Sequence, residues 1–186
     1  MKPEMIRYIA FLRAINVGGR KLIKMEALRG VLARAGLRNV RTYIQSGNVI
    51  FETAEKDSSA LAKRIEKNIR REFSHEVTVI LMTLAEFDEI VSRNSFKRIK
   101  PGSDVMLFVS FLAGKPAGKQ KLPLTSLTEN LDVIDMTDRA AFIVARRKKD
   151  GRFGFPNTFV EKQLGVLATT RNLTTVFKII DFAKSC

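Results

Sequence analysis

The amino-acid sequence predicts an α+β fold, and three observations carry that expectation. Apolar runs of strand type alternate with stretches of helical periodicity. Ser46-Gly47 sits between two short strand-like segments, as a hairpin turn requires. The order of elements in the first half then recurs, in degraded form, in the second.

The first strand is predicted over Ile6–Ile15, an apolar run interrupted by Arg7 and Arg13, as in a strand covered on both faces. Gly18-Gly19 supplies a turn. A helix follows over Lys24–Ala35, where Met25, Leu28, Val31, Leu32 and Ala35 share one face and Gly36 is the stop signal. Val40–Gln45 and Asn48–Thr53 read as the hairpin strands. Asp57 and Ser58 cap a second helix in which Leu61, Ile65, Ile69 and Phe73 recur every four residues, before a β-branched run at Val77–Ile80. The resulting order, β-α-β-β-α-β, is the split, ferredoxin-like arrangement.

A helix over Leu84–Ser92 and the connector Lys97–Gly102 separate this unit from a second one, placing the subdomains at 1–94 and 95–186, together one compact unit. The second half offers a strand at Val105–Leu112, a Gly/Lys/Pro-rich loop at Gly114–Pro123, a short helix, and strands at Asp132–Met136 and Ala140–Arg146. A helix then spans Thr158–Leu164, with Thr158 and Glu161 at capping-box spacing. The last helix, Asn172–Lys184, buries Leu173, Val176, Phe177, Ile180 and Ala183. The fold class is thus α+β, two ferredoxin-like subdomains with the second degenerate, plus a C-terminal helix.

Composition narrows the chemistry. With one histidine and one cysteine, Cys186 at the C-terminus, there is no material for an intrachain disulfide, a cysteine metal cluster or a Cys–His nucleophile pair. No metal and no cofactor are expected. No apolar run approaches the roughly 18 residues that cross a bilayer, so a cytoplasmic location and no membrane partner are expected. A net charge of +14 at pH 7 favours an anionic partner, a phosphate-bearing ligand or nucleic acid. Residues 1–50 hold ten basic and two acidic residues and 95–186 hold sixteen and eight, whereas 51–94 hold seven and nine, so the excess avoids the middle segment.

Three stretches carry candidate binding residues. The first is Arg13, Asn16, Gly18, Gly19 and Lys24, between a buried strand and a helix start where free N–H groups can hold an anion, although the spacings of a Walker loop or dinucleotide fingerprint are missing. The second is Tyr43, Gln45, Ser46 and Asn48 at the hairpin end, which is equally ordinary turn chemistry. The third is Thr170, Arg171 and Asn172. Capping of the last helix accounts for the threonine and asparagine but not for Arg171.

Leu12-Arg13-Ala14-Ile15-Asn16-Val17-Gly18-Gly19, Thr42 through Phe51 and Thr169-Thr170-Arg171-Asn172 together resemble the signatures of domain of unknown function 1697, as does Pro156 through Lys162. The resemblance implies a bacterial protein of two ferredoxin-like subdomains with no established activity. Where that family often has tryptophan after the Thr-Arg-Asn triplet this chain has Leu173. The leading functional expectation is a non-catalytic binder of a phosphate-bearing ligand that brings Arg13, Asn16, Lys24, Gln45, Asn48 and Arg171 into one cleft. The alternatives are an enzyme on a small anionic substrate, or an interaction module.

Overall fold

The computed structural model describes residues 3–19, 21–100, 102–118 and 120–185. It contains two antiparallel sheets and five helices among those residues, divided between two compact units, Met1–Glu89 with Ile179–Cys186, and Ile90–Lys178.

Unit 1 runs β1 (Ile6–Leu12), α1 (Met25–Arg34), β2 (Arg38–Tyr43), β3 (Asn48–Thr53), α2 (Ser58–Phe73) and β4 (Val79–Thr83). Its sheet order is β2-β3-β1-β4, every neighbour antiparallel. Both faces of β1 are covered from Tyr8 to Leu12, as the apolar run there requires. Tyr8, Ala10 and Leu12 join Leu28 and Leu32 of α1 and Leu61, Ile65 and Ile69 of α2 in one core. On the alternate face Ile9 and Phe11 are equally buried, the Phe11 ring lying 5.7 Å from that of Phe87. Each such large side chain contributes about 1.5–3 kcal/mol of transfer free energy. Asp57 caps α2 as its side chain accepts from the N–H of Ser59 and Ala60 at 3.0 and 2.9 Å.

Helix α3 (Leu84–Ser92) follows β4 and contains the change from one unit to the next. Unit 2 then holds β5 (Val105–Leu112), β6 (Leu124–Ser126), β7 (Leu131–Met136), β8 (Ala140–Arg146), α4 (Asn157–Leu164) and β9 (Ala168–Asn172), before α5 (Leu173–Lys184). Its sheet order is β6-β7-β8-β5-β9. With β6 set aside, β7-β8-β5-β9 repeats the order β2-β3-β1-β4. Val160 and Leu164 of α4 pack on Phe108, Leu112, Ile143 and Ala145.

The short helix expected after Gly114–Pro123 is absent. Leu124-Thr125-Ser126 forms β6, paired Leu124 to Val133 and Ser126 to Leu131, with the Thr125 hydroxyl donating to Asp132 at 2.7 Å. Three residues of alternating pattern satisfy more backbone groups on a sheet edge than in one helical turn. Residues 168–172, where the sequence offered only Thr170 and Asn172 as caps of the last helix, form β9 beside β5. The capping box of α4 is also replaced. Pro156 takes the N-cap without a side-chain bond, and the Glu161 carboxylate accepts from the N–H of Ala168 at 2.8 Å. No helix among the described residues is long and apolar enough to cross a membrane.

Ile65 is fully enclosed in the core of unit 1. Ile65→Ala is expected to cost roughly 2–5 kcal/mol of stability, measurable as a lowered denaturant midpoint with an unchanged slope; a loss below about 1 kcal/mol would show that the site collapses around the missing atoms.

Candidate functional site

Leaving β1, the chain must turn while its polar backbone is still next to the core, and the first two candidate stretches solve that problem together. Asn16 sits at φ 55°, a conformation asparagine tolerates. Its amide nitrogen donates to the carbonyls of Ile23 and Gln45 at 3.0 and 2.8 Å, and its oxygen accepts from the N–H of Ile23 at 2.8 Å. The N–H of Leu12 donates to Gly47 O at 2.8 Å. A side chain at Gly47, φ 74°, would place its Cβ 2.8 Å from Ile15 Cδ1 and 2.9 Å from Leu12 Cβ. Only glycine permits that approach.

Asn48 is fully buried, and its amide donates to Tyr43 O at 3.0 Å and Ser46 Oγ at 2.9 Å. The Tyr43 ring packs 5.4 Å from that of Phe182. Asn16, Asn48 and Gly47 therefore hold two loops in place, and Ser46 serves the same hairpin. Gly18 and Gly19 have positive φ and open space around them, while Lys24 is exposed at the start of α1 without a cap bond. Arg13 is half-buried, its N–H donating to Thr78 O at 2.9 Å.

The third stretch lies in unit 2. Buried Ser110 and Thr170 share a 2.6 Å hydrogen bond across β5 and β9. Thr170 donates in turn to Asn157 Oδ1 at 2.6 Å, and the Asn157 amide donates to Ala168 O at 2.9 Å. Thr170 is thus a sheet residue, not a cap, whereas Asn172 does cap α5, accepting from the N–H of Thr175 at 2.8 Å. Arg171 donates from Nη1 to Thr169 Oγ1 and Thr170 O, both at 2.9 Å, and burial pushes its guanidinium down to about 10, still charged at neutral pH.

Sequence reasoning missed a cleft of about 540 Å³ in unit 1, lined by Lys63, Glu66, Lys67 and Arg70 of α2, by Glu76, Val77 and Thr78 of the segment entering β4, and by Lys21 of the first loop. Lys21 Nζ donates to Glu76 O, Glu66 accepts from the N–H of Val79 at 2.8 Å, and Arg70 pairs with Glu76 at 3.3 Å. Among the described residues no carboxylate pairs with Lys63 or Lys67. Positions 63 and 67 are about one helical turn apart, and like charges at that spacing cost about 0.2–0.5 kcal/mol. An anion between them removes that penalty. The spacing 63, 67, 70 opposite the Leu61, Ile65, Ile69 stripe was readable, but acids elsewhere in 51–94 hid it in the segment's charge balance.

A second cleft, about 560 Å³ in unit 2, is lined by Arg93, Asn94, Ser95, Lys97, Arg98, Ile99, Ile134 and Asp135. Arg93 holds Asp135 through two bonds of 2.8 and 3.1 Å and Ser95 adds a third at 2.7 Å. These donors, Arg93 first, keep the Asp135 carboxyl below its ordinary range. Both clefts include acids, but the cations of this one come from the single segment 93–98, whereas those of the unit 1 cleft come from α2 and the first loop. No three His, Cys, Asp or Glu side chains gather as a metal site among the described residues.

These features define an α+β protein whose motif asparagines are spent on its own backbone and whose cations line separate clefts. A family model described as protein of unknown function (DUF1697) matches residues 5–142, and the chain belongs to that family. The matched residues include the first two motif stretches and stop short of Thr169–Asn172. No curated protein matches. Among solved structures, the conserved bacterial protein SP0830 from Streptococcus pneumoniae is similar in fold, with a TM-score of 0.63 and 20% identity, covering 97% of this chain and 100% of that one.

Two substitutions separate structure from display in this region. Asn16→Ala strands the carbonyls of Ile23 and Gln45 and the N–H of Ile23, and is expected to cost roughly 1–3 kcal/mol. Ile44 stands at φ 50° with half its surface exposed, so Ile44→Gly is expected to raise stability by about 1 kcal/mol as left-handed strain is relieved. Equilibrium unfolding of both variants checks the opposite signs.

Proposed function

We propose that this protein is a non-catalytic binder of a phosphate-bearing anion, and that the unit 1 cleft between α2 and the first loop receives it. The observation that carries the reading is the meeting of Lys21, Lys63, Lys67 and Arg70 around one cavity. Of its two carboxylates, Glu66 is committed to a backbone N–H and Glu76 to Arg70. Ammonium groups on a helix anchored by a buried stripe bind as point charges, which suits a phosphate approached from solvent.

The expected site therefore moves from the asparagines to the lysines. Asn16 and Asn48 have their amide groups engaged with backbone and Ser46. Arg13, Gln45 and Arg171 are not needed for this reading. We further infer that unit 1 is ferredoxin-like and unit 2 a degenerate copy. Supporting this are the β-α-β-β-α-β order of unit 1 and the recurrence of its strand order once β6 is set aside.

Titration of the full chain with inorganic tripolyphosphate and a panel of labelled nucleotides and RNA at two salt concentrations tests the proposal. Saturable binding should weaken as salt rises. It should fall at least tenfold, about 1.4 kcal/mol, in Lys63→Gln/Lys67→Gln and stay unchanged in Lys97→Gln/Arg98→Gln. Equal binding by the two double variants would overturn the assignment to this cleft.

A further inference from the structure

The unit 1 cleft is closed at one end by its own residues. Glu76 is held from two sides, its carbonyl accepting from Lys21 Nζ of the first loop and its carboxylate pairing with Arg70 of α2 at 3.3 Å. Lys21 and Arg70 both line the cleft, so Glu76 forms a crossbar between loop and helix. Away from the crossbar, along α2, stand Lys67 and Lys63. Both are exposed, and among the described residues neither makes an ion pair or a side-chain hydrogen bond. At 1.5 Å per residue, positions 63 and 70 lie about 10 Å apart along the helix axis, with 67 between them. Three cations in such a row are engaged together only by an anion of comparable length.

The lining is chemically narrow. Four cations meet two carboxylates there, an excess of two charges. An unsubstituted terminal phosphate carries about −1.5 to −2 at pH 7 and can balance that excess by itself. The cleft also has room for more than one phosphate, since its volume of about 540 Å³ equals the share of roughly eighteen waters in the liquid. Among the described lining residues Thr78 is the one neutral hydrogen-bonding side chain, and none is aromatic. A nucleobase therefore finds no plane to stack on.

Resting on the assignment of anion binding to this cleft, we infer that its ligand class is the free end of an oligophosphate chain, three phosphates or longer, bound without regard to any base it carries. The terminal phosphate lies toward the crossbar, where Lys21 and Arg70 converge, and the phosphates behind it run past Lys67 to Lys63. A continuous nucleic-acid strand fits poorly, because Glu76 stands across the closed end and sets a largely exposed carboxylate in its path.

Calorimetric titration of the full chain with orthophosphate, pyrophosphate and tripolyphosphate, at one ionic strength and without divalent cations, tests this. Affinity should rise about tenfold or more from orthophosphate to tripolyphosphate. ATP and CTP should bind alike, and an RNA dodecamer with a 5′-triphosphate should bind about tenfold or more tightly than the same RNA with hydroxyl ends. Tripolyphosphate bound more tightly than ATP marks an inorganic chain as the ligand, and the reverse marks a nucleotide-borne one. Lys63→Gln/Lys67→Gln, whose unchanged thermal midpoint will certify the fold, should flatten the dependence on chain length. If tripolyphosphate binds that variant undiminished, the cleft assignment falls and this inference falls with it. If binding drops in the variant but orthophosphate matches tripolyphosphate, or hydroxyl-ended RNA matches triphosphorylated RNA, the cleft stands and the chain-end inference alone is overturned.

Discussion

Burial of β1 on both faces is the constraint from which the rest of unit 1 follows. A strand flanked by β3 and β4 and covered above and below cannot release its chain gradually, because every unpaired N–H or C=O near its end is shielded from water. The chain must leave through a tight turn and find partners at once. Left-handed residues at Ala14, Asn16 and Lys21 make the turn, and Gly47 of the neighbouring hairpin comes close enough to accept from Leu12. The missing Cβ at Gly47 admits Ile15 into the core, where it is 1% exposed.

The same accounting explains why residues that look like ligand groups are consumed internally. Asn16 satisfies three backbone groups, and Asn48 satisfies one carbonyl while fixing a hydroxyl. In unit 2 the Ser110–Thr170–Asn157 chain performs the equivalent service, ending on the carbonyl of Ala168. An asparagine left buried without such partners costs roughly 1–3 kcal/mol. A motif dense in Asn, Ser, Thr and Gly thus marks a place where the backbone departs from regular structure near a core.

Elements with a strong apolar period were legible in the sequence. The stripe Leu61, Ile65, Ile69 defined α2, Asp57 marked its start, and Val105–Leu112 was read at its observed bounds. The elements that escaped lack such a period. β6 is three residues long, and β9, Ala-Thr-Thr-Arg-Asn, derives its identity from pairing with β5, which no local pattern announces. Glu161 had the spacing of a capping box and is drawn instead to Ala168, a tertiary partner that outbids a local one. For the site, residue type was visible but engagement was not, since nothing in the order of residues distinguishes an asparagine bound to its own backbone from one facing solvent.

Net charge misled for a related reason. The segment 51–94 is slightly acidic in total, yet α2 within it lines a cleft with Lys63, Lys67 and Arg70. Amphipathic spacing decides this. Once Leu61, Ile65 and Ile69 are turned inward, the polar residues between them face water together, while acids such as Glu86 and Glu89 lie on a different helix. In the run after β8 the cations are largely neutralised locally. Arg146, Arg147, Lys148 and Arg152 each pair with a carboxylate, so the most basic run in the chain presents little unbalanced charge. A cation's value for recognition depends on what its neighbours leave unpaired, and by that measure the lysines of α2 outrank the longer basic run after β8.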